Sequence, residues 1–162
     1  MDAVIGLGSN LGPRLAHLRE AVAALAKLGT VRARSALYET APVGGPPQPD
    51  YLNAALWLST GLVPLALLAE LGLLERRAGR IRGVRNEPRT LDLDILLLGS
   101  QGEVVLVLPE LVVPHPRLHE RAFALRPVLD LDPSLHHPAL GVTLSALLAE
   151  LPASALRPVG WL

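Results

Sequence analysis

Glu87-Pro88-Arg89-Thr90-Leu91-Asp92-Leu93-Asp94-Ile95-Leu96-Leu97-Leu98-Gly99 sets two carboxylates two residues apart in an otherwise apolar run. From Thr90 to Leu98 this segment reads as a core strand closed by Gly99. Residues i and i+2 of a strand share a face. Asp92 and Asp94 therefore point the same way, with Cα atoms roughly 6.6 Å apart, and Leu91, Leu93 and Ile95 point the other way. Like charges at that separation repel and lose hydration on a largely buried strand unless cations or donors compensate them. A hard cation such as Mg²⁺ suits the pair, since it takes one or two protein carboxylates and completes its shell with water and substrate phosphate. An antiparallel strand with one wet face, where alternating Asp and Leu is ordinary, is the plainer alternative, and both readings stay open on these residues alone.

Just upstream stand Arg76, Arg77, Arg80, Arg82, Arg85 and Arg89, with Glu87 as the acidic residue among them. Guanidinium groups offer a planar fork of donors that matches phosphate oxygens, and a dense cluster repels itself unless an anion joins it. Arg76 and Arg77 are explained by the C-terminal end of a preceding helix, which favours positive charge. Arg80, Arg82 and Arg89 remain as functional candidates. The stretch Gly79 to Pro88 has two Gly, a terminal Pro and little hydrophobic pattern, so it reads as a mobile loop whose arginines lack local acidic partners.

The chain has 162 residues, which predicts one domain over 1–162 with a core large enough to need no disulfide or structural metal. Hydrophobic residues make up 50 % but aromatics only 3 %, so Leu, Val, Ile and Ala build the core and each aromatic invites a functional question. Fifteen basic residues balance fifteen acidic ones, which removes any global attraction to nucleic acid or anionic membrane and makes the arginine cluster a local feature. Cysteine is absent, which excludes a thiolate nucleophile and a zinc-thiolate site. The uncharged stretch Tyr51 to Ala69 is broken by Thr60-Gly61-Leu62-Val63-Pro64, so it is not read as a membrane helix. With no basic leader at the N-terminus, a cytoplasmic protein is expected.

Periodicity orders the rest. Asp2 to Leu7 reads as a strand. Gly8-Ser9-Asn10-Leu11-Gly12-Pro13 reads as a turn whose Ser9 or Asn10 caps a helix to about Leu28, and a second strand covers about Val31 to Glu39. A Pro/Gly-rich loop from Ala41 to Asp50, a strand from Tyr51 to Ser59 and a helix from Pro64 to Ala78 follow. The order is that of an α+β, ferredoxin-like βαββαβ sandwich, an antiparallel sheet with helices on one face and the other face open for a site. Extra elements after Gly99 are a short strand (Val104 to Leu108), helical pieces over Glu120 to Leu129, and a last helix near Leu144 to Leu151. The Gly6-Leu7-Gly8-Ser9-Asn10-Leu11-Gly12 stretch fails as a dinucleotide fingerprint because Leu11 replaces the third Gly.

Two further segments carry chemistry. Pro114-His115-Pro116 holds a histidine in a stiff loop where a side chain can be aimed. Tyr51 and Asn53 share a strand face, where they can stack on and hydrogen-bond a flat heterocycle, although packing at the core edge explains them as well.

Tyr38-Glu39-Thr40, Gln48-Pro49-Asp50-Tyr51-Leu52-Asn53-Ala54-Ala55, Pro88-Arg89-Thr90-Leu91-Asp92-Leu93-Asp94-Ile95 and Pro114-His115-Pro116-Arg117-Leu118-His119-Glu120-Arg121-Ala122-Phe123 occur in this order. In order and spacing they resemble 6-hydroxymethyl-7,8-dihydropterin pyrophosphokinase of folate biosynthesis, from Gly6 to about Pro133. The resemblance implies a ferredoxin-like fold, ATP with two Mg²⁺, and transfer of pyrophosphate to the pterin hydroxymethyl group with release of AMP. It implies that Asp92 and Asp94 hold both metals, that Arg80, Arg82, Arg89 and Arg121 face the phosphates, and that His115 and Glu75 lie on the nucleotide side. Tyr51 and Phe123 would sandwich the pterin, Asn53 would bond its edge, and backbone groups around Thr40 and Val43 would complete the pocket. The basic loop lacks the Trp that better-known bacterial members carry there. The expected partners are therefore the two small molecules, ATP and the reduced hydroxymethylpterin, with no nucleic acid, no membrane and a monomeric chain. The alternatives are a metal-dependent nucleotidyltransferase or phosphohydrolase on the same Asp pair, and a non-enzymatic ferredoxin-like nucleic-acid-binding module.

Overall fold

Alternation along the first residues sets the frame of the sheet. In the computed structural model, which describes residues 1–81, 83 and 85–162, β1 (Asp2–Ser9) turns Ala3, Ile5 and Leu7 to one side and Val4, Gly6 and Gly8 to the other. Helix α1 (Arg14–Leu25) leads to β2 (Gly29–Arg34) and β3 (Ala36–Thr40), which fold back on β4 (Tyr51–Thr60). Helix α2 (Pro64–Arg77), with Pro64 in its first turn, leads to β5 (Asp92–Leu98). Strand order is β3-β4-β1-β5 with antiparallel neighbours, the ferredoxin-like arrangement that the element order predicts.

Three local expectations change. The single strand expected over Val31 to Glu39 is two, because the register against β4 slips on either side of the buried Ser35. Ser35 closes the gap itself, its N–H donating to the Ala55 carbonyl at 2.9 Å and its hydroxyl accepting from the Ala55 N–H at 2.8 Å. The turn expected at Gly8 starts later, since β1 runs through Ser9 and α1 starts at Arg14 with no side-chain cap. Helix α1 also stops at Leu25, before Leu28.

The expectation of an open second face is corrected over most of its area. Leu18, Val22 and Leu25 of α1 and Leu67 and Leu71 of α2 cover the first face, against Ile5, Leu7, Leu56 and Leu93. After the short pair β6 (Leu106–Val107) and β7 (Val112–Val113), a single 3₁₀ turn (Leu118–Glu120) leads into α3 (Ala122–Leu131). Leu125, Val128 and Leu129 of α3 pack on Val4, Ala55, Trp57 and Leu96 of the second face. An apolar stripe at helical spacing has to be buried, and the bare face of the sheet is what remains to bury it. The pair β8 (His136–His137) and β9 (Val142–Thr143) precedes α4 (Leu144–Glu150), which the Thr143 hydroxyl caps at Ala146 N–H. A strand that the sequence did not announce, β10 (Arg157–Trp161), pairs with the outer edge of β3. Among the described residues no helix is long and apolar enough to cross a membrane.

One polar clasp fixes α3 to the sheet. Asp130 accepts from Arg126 at 2.7 Å on one oxygen, and on the other from the Tyr38 hydroxyl at 2.8 Å and the Ala36 N–H at 3.2 Å. Removing the acceptor strands a backbone donor and a hydroxyl in a largely buried place. Asp130→Ala is therefore expected to lower stability by about 2–3 kcal/mol, whereas Arg126→Ala, at the wetter end, costs about 1 kcal/mol or less. Urea unfolding of the two variants reads the difference.

Candidate active site

Among the described residues, α3 leaves one end of the second face uncovered, and the acidic pair lies there. Asp92 pairs with Gly8 and Asp94 with Gly6 across the β1–β5 ladder, so the two carboxylates share the face that the sequence assigns them. Gly8 keeps the floor low: a Cβ there would sit 3.0 Å from the Asn53 Oδ1 and 3.9 Å from the Asp92 Cβ. A Gly-x-Gly opposite an Asp-x-Asp was thus a legible signal that the fingerprint test discarded.

Arginine reaches the pair by two routes. Helix α2 ends in a reverse turn in which Gly79, at φ 82°, donates to the Arg76 carbonyl while Arg80 N–H returns to the Glu75 carbonyl. The turn brings Arg80 back beside Glu75, and its guanidinium bridges the Glu75 carboxylate and Asp92 Oδ1, the latter at 2.8 Å. Arg80 therefore has the acidic partners that the sequence reading denied it. Glu75 is itself buried and accepts from the Leu93 N–H at 2.8 Å. Burial raises its pKa, against the pull of the Leu93 N–H and Arg80. It holds Arg80 rather than lining the cleft. Arg89 takes the second route from the strand start and reaches the same Asp92 Oδ1 at 2.9 Å.

Asn10, which is not a helix cap, locks this corner. Its Oδ1 accepts the Arg89 N–H at 2.8 Å, and its Nδ2 donates to Gln48 Oε1 at 2.8 Å and to the Pro49 carbonyl at 3.0 Å. One buried amide thus ties the β1 end, the Ala41 to Asp50 loop and the base of Arg89. Gln48 in turn donates to the Asn86 carbonyl at 2.9 Å.

The cleft has two adjoining lobes, with about 640 Å³ and 400 Å³ of space open to solvent. The larger brings together Thr40, Val43, Tyr51, Asn53, Arg89, Arg121 and Phe123. Asn53 donates to the Thr40 hydroxyl at 2.7 Å, which holds the amide in place at the lobe. The smaller lobe holds Asp92, Asp94, His115 and again Arg121 and Phe123. Arg121 lies over the Phe123 ring at 5.6 Å. His115 accepts the Arg117 N–H on Nδ1 at 3.1 Å and turns Nε2 toward Asp94 Oδ1 at 3.9 Å. Burial, aided by Arg121, lowers its pKa, and in the neutral ring the acceptor role of Nδ1 leaves the proton on Nε2. Arg82 lies outside the described residues. Among the described residues no three acidic, His or Cys groups are set to hold a metal unaided. Two oxygen-donor carboxylates on an open floor are instead what a cation also bound to substrate phosphate requires.

The sequence pattern of the 7,8-dihydro-6-hydroxymethylpterin-pyrophosphokinase family matches residues 4–133. The chain belongs to this family. The 2-amino-4-hydroxy-6-hydroxymethyldihydropteridine pyrophosphokinase of Pseudomonas aeruginosa is 44 % identical over 155 residues, covering 94 % of this chain and 93 % of that one. Its Synechocystis counterpart is 37 % identical over 158 residues, with 97 % and 80 % covered. The chain spans only 21 % of the length of the folic acid synthesis protein fol1 of Pneumocystis carinii, to which it is 36 % identical over 156 residues. The Plasmodium falciparum HPPK-DHPS structure with pteroate shares the fold at a TM-score of 0.70 and 15 % identity, over 92 % of this chain and 42 % of that one.

In this pyrophosphokinase-family site the two carboxylates differ. Burial pushes Asp94 up to about 7, with the Asp92 charge adding to it and Arg121 opposing it. Its side chain keeps 38 % of its surface accessible, but to water inside the cleft. Because its folded pKa is raised, the stability it contributes is full below its unfolded value of about 4 and is lost as pH rises through about 7. In metal-free buffer, Asp94→Asn is expected to remove this loss. The gain is on the order of 1 kcal/mol near pH 8, because cleft water screens the rest, and nil near pH 4. Urea unfolding across that range measures it.

Proposed function

We propose that this chain transfers pyrophosphate from ATP to the hydroxymethyl group of 6-hydroxymethyl-7,8-dihydropterin, releasing AMP. The observation that carries the reading is the adjacency of the two lobes: an aromatic and amide slot opens directly onto a carboxylate pair ringed by arginines. The Tyr51 and Phe123 rings suit the faces of a flat bicycle, and the Asn53 amide, held by Thr40, suits its edge. Backbone groups around Thr40 and Val43, which line the same lobe, would complete the pocket.

The hydroxyl oxygen attacks the β-phosphorus while the bond from that phosphorus to the α-bridging oxygen breaks, AMP leaves in line, and the hydroxyl proton passes to solvent. The reaction needs positioning and charge neutralisation more than covalent help from the protein. Asp92 and Asp94 would hold Mg²⁺, two ions in our reading, which would neutralise developing charge on the phosphates. Arg89, whose backbone is tied through Asn10, and Arg121 bring positive charge to the phosphates. His115 offers an Nε2 donor at the nucleotide side, and Arg82 is assigned to the phosphates through the family resemblance alone. The nucleic-acid module is disfavoured by α3, which covers the sheet face that such a module leaves open.

Incubation of the chain with ATP, Mg²⁺ and the reduced hydroxymethylpterin should yield AMP, detected by chromatography, rather than free pyrophosphate. Asp92→Asn and Asp94→Asn are each expected to lower turnover by at least about a thousandfold, comparable to the loss of a main electrostatic element. Near-normal turnover in either would end the assignment.

The aromatic assignment has its own test. Tyr51→Leu and Phe123→Leu should each weaken pterin binding about tenfold, the scale of one lost stacking contact, and leave ATP binding nearly unchanged. Calorimetric titration with each ligand separates this from simple core packing, which would weaken both.

A further inference from the structure

Asp92 is already neutralised by the protein, and it is so unevenly with respect to its neighbour. Both Arg80 and Arg89 donate to one atom, Asp92 Oδ1, at 2.8 and 2.9 Å. Asp94 has no comparable partner among the described residues, His115 Nε2 being 3.9 Å away and uncharged when neutral. Arg80 is held from behind by Glu75, whose other hydrogen bond, to the Leu93 N–H, does not involve Asp92. Arg80 therefore keeps its Glu75 anchor when it gives up Asp92. Arg89 keeps its own anchor, its backbone N–H donating to Asn10 Oδ1 and its carbonyl accepting the Asn10 N–H.

We infer that Arg80 and Arg89 are resident counter-ions of Asp92 in the ligand-free chain, and that a divalent cation gains Asp92 only by exchange, when nucleotide phosphates draw these two guanidinium groups away. The inference rests on the pyrophosphokinase reading, which supplies the nucleotide. A bare cation has to displace two charge-assisted hydrogen bonds from the carboxylate and brings no new anion to replace them. A cation arriving on a polyphosphate brings the replacement anion with it. Each arginine then passes from one oxyanion to another, and no charge in the partly buried corner is left unpaired at the end of the exchange. The same groups thus offset the Asp92 charge when the site is free and become phosphate ligands when it fills.

Titration of the nucleotide-free chain with Mn²⁺, following the free aqua ion by electron paramagnetic resonance, tests this directly. Wild type should bind weakly, and Arg80→Met and Arg89→Met should each bind at least about tenfold more tightly, the effect of removing one competing cation. Adding Asp92→Asn to either should abolish the gain. Affinity equal to or below that of wild type in a folded variant overturns the exchange. The wild-type chain supplies an independent reading through the arginine side-chain NMR signals. Those of Arg80 and Arg89 should shift with Mg²⁺ and a non-hydrolysable ATP analogue together, and stay in place with Mg²⁺ alone at the same concentration. A shift with Mg²⁺ alone overturns the inference. AMP formation alongside a negative Mn²⁺ result leaves the pyrophosphokinase reading standing and removes the exchange only. Absence of AMP alongside tighter Mn²⁺ binding in the variants removes the pyrophosphokinase reading instead.

Discussion

The antiparallel pairing of β5 with β1 is the constraint on which the site depends. It places Asp92 and Asp94 across from Gly8 and Gly6, so that two carboxylates sit over a floor without side chains. Because β5 is the last strand on its side of the sheet, the end of α2 can reach around it. Arg80 thus passes from a helix on one face to a carboxylate on the other. An interior strand would have blocked that path. A slip of one residue in this ladder would bury both aspartates among the leucines of the first face.

Charge in this molecule is organised locally. The net charge is zero, so the cleft owes its field to the handful of groups that meet there and not to the surface as a whole. Glu75, Asp92 and Asp94 face Arg80, Arg89 and Arg121 within one corner, and the two loops that frame it are tied to β1 by the single amide of Asn10. The polar groups that touch ligands and those that hold the loops are therefore neighbours in one network. In such networks the effect of changing one member is not the sum of its contacts.

Much of this was legible because strand periodicity is short and strict. The Asp-x-Asp spacing gave the shared face, and the βαββαβ order followed from alternating runs and their breakers. The scarcity of aromatics singled out Tyr51 and Phe123, which do line one lobe. What escaped depends on partners far apart in the chain. The break at Ser35 is a register slip against β4, invisible in an apolar pattern. The pairing of Arg80 needs the turn at Gly79 to bring it back onto Glu75, whereas composition alone shows only a surplus of positive charge. The covering of the second face by α3 follows from its stripe of Leu125, Val128 and Leu129, but nothing in that stripe says which surface it meets. Asn10 looked like a cap because Asn before a helix usually is one. Its three tertiary partners outbid that local role.

The strand β10 alters what the sheet offers to other molecules. Without it, β3 would present an unpaired row of backbone donors and acceptors, the kind of edge onto which a foreign strand can zip. With it, the outermost strand contains Arg157 and Pro158, a charge and a residue with no N–H to give. The rim of the sheet is thereby turned from a template for strand addition into a poor one. On that side of the sheet, edge-to-edge growth is opposed by five residues that line neither lobe of the cleft.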